Sequence, residues 1–272
     1  MKNFILRSVT AVAFGAAIIF ALIFDIWPFI VLFLMISTAA LVEFYKLSRL
    51  LGVHPQMKLG LGIGALFFLS NGLVAANYFD SKILLLNILP LTLPLILELY
   101  RRRSNPLKNV AFTYLGLLYV VGPMSLLLYF PNIRFEQGVY EPEILLGFFA
   151  LLWVNDSVAY LFGSRFGKHL FFERISPLKT WEGAISGAVV TIALSNFAHS
   201  LMPQLSHLEW VIMAILVVVF STFGDLFESL FKRSIKVKDS GNMLPGHGGI
   251  LDRFDGVLVA APVVFVYLIF AY

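Results

Sequence analysis

The sequence has no cysteine, which excludes a disulfide framework, a thiolate metal site and a cysteine nucleophile. Charge is scarce too: 13% of the 272 residues are Asp, Glu, Lys or Arg, roughly half the share of an ordinary soluble domain. Apolar residues take its place. Hydrophobic side chains make up 59% of the chain and the mean hydropathy is +0.87, which excludes disordered, collagen-like and nucleic-acid-binding chains. At about 20 residues per crossing, nine membrane spans use about 180 residues and leave too few for a soluble domain beside them. There is no Ser/Gly linker, low-complexity tract or internal repeat to divide the chain.

Uninterrupted apolar runs fall at about 4–24, 26–45, 59–78, 82–99, 109–130, 143–163, 181–202, 208–230 and 250–271, each long enough for a membrane helix. The first follows Lys2 and Arg7 as a signal peptide would, but it is too long for one and continues through Asp25-Ile26-Trp27-Pro28 without a small-residue cleavage site. The expected fold is therefore all-α, a polytopic integral membrane helical bundle of about nine transmembrane helices in one folded unit. Residues 1–140 hold helices one to five, structural and lipid-facing; residues 141–272 hold helices six to nine and the chemistry. Gly60, Gly62 and Gly64, like Gly183 and Gly187, lie in apolar runs, where small residues let neighbouring backbones approach.

Alternating the loops across the bilayer puts 18 of the 20 lysines and arginines on one side, with only Lys82 and Arg134 opposite. By the positive-inside rule the amino terminus and the loops after helices two, four, six and eight are cytoplasmic, and Tyr272 lies on the far side. Eight or ten spans would spoil this separation. The default location for a bacterial chain of this kind is the inner (plasma) membrane.

Three stretches break the lipid-compatible pattern, and all three project to the cytoplasmic side. In the sixth run, Trp153-Val154-Asn155-Asp156-Ser157 carries a carboxylate whose insertion costs roughly 2.5–3.5 kcal/mol, so Asp156 must face protein, water or a cation. Next come Gly163-Ser164-Arg165-Phe166-Gly167-Lys168-His169 and Ser176-Pro177-Leu178-Lys179-Thr180-Trp181-Glu182-Gly183. Hydroxyls and backbone N–H groups around glycine turns can converge on phosphate oxygens while Arg165, Lys168 and Lys179 neutralise them; Thr180 equally suits a helix cap.

The third stretch is the richest. Asp225 and Glu228 are three apart on one helix and share a face, Ser229 sits four from Asp225, and Asp252 and Asp255 repeat the acid spacing at the start of the last span. Between them the chain carries Lys232, Arg233, Lys236, Lys238 and the turn Pro245-Gly246-His247-Gly248-Gly249. Clustered carboxylates call for a cation between them, and oxygen ligands without Cys suit Mg²⁺ rather than Zn²⁺. The basic loop suits an anion of several charges, such as a nucleoside di- or triphosphate. A juxtamembrane loop on anionic lipid heads explains any single charge, but not the buried acids or the glycine turn.

The run Ser229-x-x-Lys232-Arg233-x-x-x-x-Lys238-Asp239-x-Gly241-x-x-Leu244-Pro245-x-His247-Gly248-Gly249-x-x-Asp252-Arg253-x-Asp255 resembles the signature of the phosphatidate cytidylyltransferases, or CDP-diacylglycerol synthases. The resemblance extends upstream to Asp156-Ser157-x-Ala159-Tyr160, Gly163-x-x-x-Gly167 and Ser176-Pro177-x-Lys179-Thr180-x-Glu182-Gly183. It covers the last 120 residues well and the first 140 only as hydrophobic spans. It implies transfer of a cytidylyl group from CTP to phosphatidic acid, giving CDP-diacylglycerol and pyrophosphate, with Mg²⁺ and room for a second cation. Asp225 and Asp252 are then first-choice metal ligands, with Glu228 and Asp255 second. Lys232, Arg233 and His247 join the catalytic set. Substrate contacts fall to Lys179, Ser176, Thr180, Lys168, Arg165, Lys238, Gly248, Gly249 and Asp156. His247, Gly248 and Gly249 would shape a backbone nest for phosphate. Expected partners are CTP, phosphatidic acid and membrane lipids, with a homodimer left open. The rivals are a secondary transporter, whose acids belong near the midplane of duplicated broken helices, and a different Mg²⁺-dependent membrane phosphotransferase.

Overall fold

The computed structural model describes residues 2–133, 140–243 and 248–271, with the side chains of 2–8 and 11 excepted. His247, Leu244, Pro245, Arg134 and Tyr272, all named above, lie outside the described residues.

Ten α-helices carry the described chain: α1 (Lys2–Phe24), α2 (Ile26–Leu50), α3 (Met57–Ala75), α4 (Ile88–Tyr100), α5 (Pro106–Gly116), α6 (Gly122–Leu126), α7 (Glu143–Phe166), α8 (Trp181–Leu201), α9 (His207–Ser234) and α10 (Leu251–Ala271). A 3₁₀ turn over Ser81–Asn87 leads into α4, and a π turn over Leu117–Val121 joins α5 to α6, so that Ser81–Tyr100 and Pro106–Asn132 each make one continuous span. Among the described residues eight helices are long and apolar enough to cross a membrane, and α1 adds the apolar stretch Val12–Phe24. The protein is a predominantly helical integral membrane protein, as its apolar runs lead one to expect. Its described sheet is one antiparallel ribbon, β1 (Leu170–Phe172) with β2 (Ser176–Thr180).

Local chemistry sets the boundaries. Asp25 interrupts two apolar runs because it caps α2, its Oδ1 accepting the Ile26 N–H at 2.5 Å. Pro106 takes the first position of α5, where its missing N–H is harmless. Pro123 has no N–H to give the preceding turn, and the chain widens there into the π turn.

The chain divides into two compact units, Met1–Tyr129 with Glu136–Tyr140 and Ile235–Phe254, and Phe130–Phe135 with Glu141–Ser234 and Asp255–Tyr272. In the first, α2 packs on α1, α3 and α5 through the fully buried Phe29, Phe33, Phe44 and Tyr45. The Phe254 ring meets Phe14 and Phe33 edge-on, both at 6.0 Å between centroids. A Cβ at Gly60 would collide with the Tyr45 ring, and one at Gly64 would press on Leu41 and Val121 at 3.1 Å. Those two glycines are packing residues; Gly62 faces open space. The buried Glu98 accepts from Gln56 at 2.7 Å, Asn109 at 2.8 Å and Arg101 at 2.6 Å, so its desolvation is met by three donors.

In the second unit α7 packs along α8 and α9, and α8 along α9. Small residues make the close approaches possible. A Cβ at Gly183 would stand 2.6 Å from the Ala159 carbonyl and one at Gly187 2.9 Å from that of Asn155, while one at Gly224 would collide with the Asp255 carbonyl. Both α8 glycines are thus packing residues, as their place in an apolar run leads one to expect.

Candidate active site

The second unit brings four of the singled-out acids into one field. Asp255 on α10 interacts electrostatically with Asp225 and Glu228 on α9 and with Asp156 on α7. Like charges gathered in this way are unfavourable unless cations stand among them, and two do. The Lys179 ammonium, at the end of β2, pairs with Asp225 Oδ2. One turn further along α9, Lys232 Nζ is 2.5 Å from Glu228 Oε2, with the Glu228 side chain fully buried. Ser229 donates to Asp225 Oδ1 at 3.2 Å, so the i, i+4 neighbour read from the sequence orients this carboxylate.

The β1–β2 ribbon explains how Lys179 gets there. Gly167 ends α7, the ribbon turns the chain back, and Thr180 caps α8 by accepting the Gly183 N–H at 3.3 Å. A Cβ at Gly167 would press on Thr180 Oγ1 at 2.7 Å, so this glycine is needed for the turn to close on the cap. Glu182 clamps the other end: its carboxylate accepts the Lys168 and His169 N–H groups at 3.1 and 3.2 Å and contacts His169 Nδ1 at 2.6 Å. Arg233 donates from Nε to the Ile175 carbonyl at 3.3 Å, tying the ribbon to α9. Arg165 and Lys168 are exposed, and Ser176 is half-buried at the start of β2.

The remaining signature residues lie in the first unit. Asp252 accepts the Ser240 N–H at 2.9 Å and the Gly249 N–H at 2.8 Å, both on Oδ2, which holds the carboxylate at the start of α10. The Gly249 N–H is thereby turned onto Asp252. Gly248 adopts φ +83°, a conformation that favours glycine. Lys238 is exposed.

Glu43, absent from the candidates above, completes this arrangement from α2: its Oε2 accepts from Ser240 Oγ at 3.0 Å and from Leu251 N at 2.9 Å. The signal was available, since Glu43 is an acid inside an apolar run.

The donor chemistry suits a hard divalent cation. Every singled-out acid offers oxygen only, yet among the described residues no three acidic or histidine side chains stand close enough to form a ready-made metal cage. Oxygen donors are the type Mg²⁺ takes, usually one or two carboxylates with substrate phosphates and water completing its shell.

One ion pair between the β1–β2 ribbon and α9 and another within α9 set carboxylates beside ammonium groups in a membrane protein. The chain belongs to the Cytidylyltransferase family, whose model matches residues 5–271. It is 31% identical to the phosphatidate cytidylyltransferase of Haemophilus influenzae over 281 aligned residues, covering 94% of this chain and 95% of that one. It is likewise 31% identical to the phosphatidate cytidylyltransferase of Bacillus subtilis over 270 residues, covering 97% of each chain. That of Staphylococcus epidermidis is 39% identical over a shorter stretch, 59% of this chain and 60% of the relative.

Proposed function

We propose that the protein transfers a cytidylyl group from CTP to phosphatidic acid. The observation that carries this reading is the full-length similarity to relatives named for that activity, in a chain where two separate motif stretches meet as the Lys179–Asp225 pair.

A phosphatidate oxygen attacks the α-phosphorus of CTP, the bond from that phosphorus to the bridging oxygen breaks, and pyrophosphate departs with the electron pair. The nucleophile is already an oxyanion, so no strong base is required; the barrier is the approach of two anions. Catalysis is then positioning and charge neutralisation. Lys179, Lys232, Arg233 and Lys238 are assigned to the phosphates, with Arg165 and Lys168 at their edge. From the signature, Asp225 and Asp252 are each assigned to metal binding, with Glu228 and Asp255 as second choices. Bound Mg²⁺ would neutralise triphosphate oxygens and polarise the reacting phosphoryl group. Lys179 and Lys232 each offset one carboxylate, Asp225 and Glu228, and a triphosphate supplies a competing anion for both.

The lipid substrate accounts for the membrane architecture: acyl chains remain in the bilayer while the head group meets CTP at the cytoplasmic mouth. We place the amino terminus and the basic loops in the cytoplasm and the carboxyl terminus opposite, in the inner membrane of a bacterial cell. Purified protein in detergent with phosphatidate, Mg²⁺ and CTP labelled at the α-phosphate tests the reaction. Label should enter the lipid extract, and label placed at the γ-phosphate should leave as pyrophosphate. A protein that labels no lipid under these conditions overturns the reading.

A further inference from the structure

We infer that Glu43 is a positioning residue for Asp252, acting through Ser240 from a helix in the amino-terminal half of the chain. The inference rests on the proposed function in taking Asp252 as a metal ligand.

Glu43 is 2% exposed and Ser240 5%. A carboxylate in a membrane helix needs partners, and the first unit contains two solutions. Glu98 is saturated by neighbours from its own part of the sequence, Gln56, Arg101 and Asn109, and serves packing. Glu43 instead reaches about 200 residues along the chain, to Ser240 Oγ and the Leu251 N–H. Leu251 opens α10, so its N–H has no partner within the helix and favours an anion.

Hydrogen-bond direction links Glu43 to Asp252. A carboxylate only accepts, so the single Ser240 hydroxyl proton goes to Glu43, and the same oxygen is left to accept the Asp252 N–H at 3.3 Å. Ser240 in turn gives its own N–H to the Asp252 carboxylate. Two glycines guard the arrangement: a Cβ at Gly241 would collide with Glu43 Oε1, and one at Gly249 with Ser240 Oγ and Glu43 Oε2. Gly241 and Gly249 are thus required by the Glu43 carboxylate beside them. The Glu43 Oε1 atom has no hydrogen-bond partner among the described residues, so Glu43→Gln preserves the acceptor on the occupied side.

The test uses the full chain in detergent, comparing wild type, Glu43→Ala, Glu43→Gln and Ser240→Ala. Two readouts are taken: amide hydrogen exchange in peptides spanning 235–255, and the Mg²⁺ concentration giving half-maximal cytidylyl transfer. Glu43→Ala and Ser240→Ala should speed exchange locally in those peptides and raise the Mg²⁺ requirement about 10–100-fold, the scale of losing a group that orients a metal ligand. Glu43→Gln should restore both. Unchanged local exchange and an unchanged Mg²⁺ requirement in Glu43→Ala, or a uniform rise in exchange over the whole protein, overturns the inference. The exchange arm needs no substrate, so wild-type protein inactive on phosphatidate would sink the proposed reaction while the positioning of 235–255 is still read.

Discussion

Lys179 of the β1–β2 ribbon and Asp225 of α9 form an ion pair, Nζ against Oδ2, with both side chains about one-third exposed. Forty-six residues of sequence separate them. Two of the polar motif stretches of an apolar chain are thereby joined at a point where both side chains remain partly accessible.

Lys179 should therefore matter for the reaction more than for folding. Lys179→Met should lower kcat/KM for CTP by about 10²–10³-fold, the usual effect of removing one preorganised charge from a transition state, and Lys179→Arg should recover part of it. Steady-state kinetics at saturating phosphatidate checks this. A Lys179→Met enzyme with wild-type kcat/KM would remove Lys179 from the site.

The Lys232–Glu228 pair should behave differently, because Glu228 is fully buried and Lys232 only 13% exposed. Removing one partner strands the other. Lys232→Met should destabilise the protein by about 3–5 kcal/mol, and adding Glu228→Gln should return part of that loss. Unfolding midpoints in one detergent, measured as a double-mutant cycle, give the coupling directly.

Helix packing offers a test free of catalysis. Gly183→Val places side-chain atoms against the Ala159 carbonyl and should cost about 1–3 kcal/mol of stability as an overpacked contact. Gly62→Ala meets open space and should leave the unfolding midpoint unchanged. Thermal unfolding of the two variants side by side measures the contrast.

The absence of cysteine makes the membrane orientation simple to measure. Asp80 and Ser104, both exposed, lie in the loops after the third and fourth spans. In intact bacterial cells a membrane-impermeant maleimide should label Asp80→Cys and spare Ser104→Cys. Labelling in the reverse order would invert the orientation drawn from the basic loops.

Much of the fold was legible in the apolar runs, because a span must be about 20 residues long and uninterrupted. The run at 143–163 became α7 (Glu143–Phe166) and that at 250–271 became α10 (Leu251–Ala271). Internal breaks were not legible. The π turn at Leu117–Val121 and the 3₁₀ entry at Ser81–Asn87 leave hydropathy unchanged, and the β1–β2 ribbon is too short to show a period. At the site, helical spacing correctly joined Ser229 to Asp225. What spacing could not supply was long-range pairing. Glu43 and Ser240 are brought together by the fold alone.

Carboxylates at Asp225 and Asp252 are proposed to serve phosphoryl chemistry. Transfer of α-labelled phosphate from CTP to phosphatidate should be measured for wild type, Asp225→Asn and Asp252→Asn at matched folding, with and without chelation of divalent cations. Wild type should yield labelled lipid and both variants near-background label, and chelation should abolish wild-type activity that added Mg²⁺ restores. Equal labelling by wild type and both variants would contradict it.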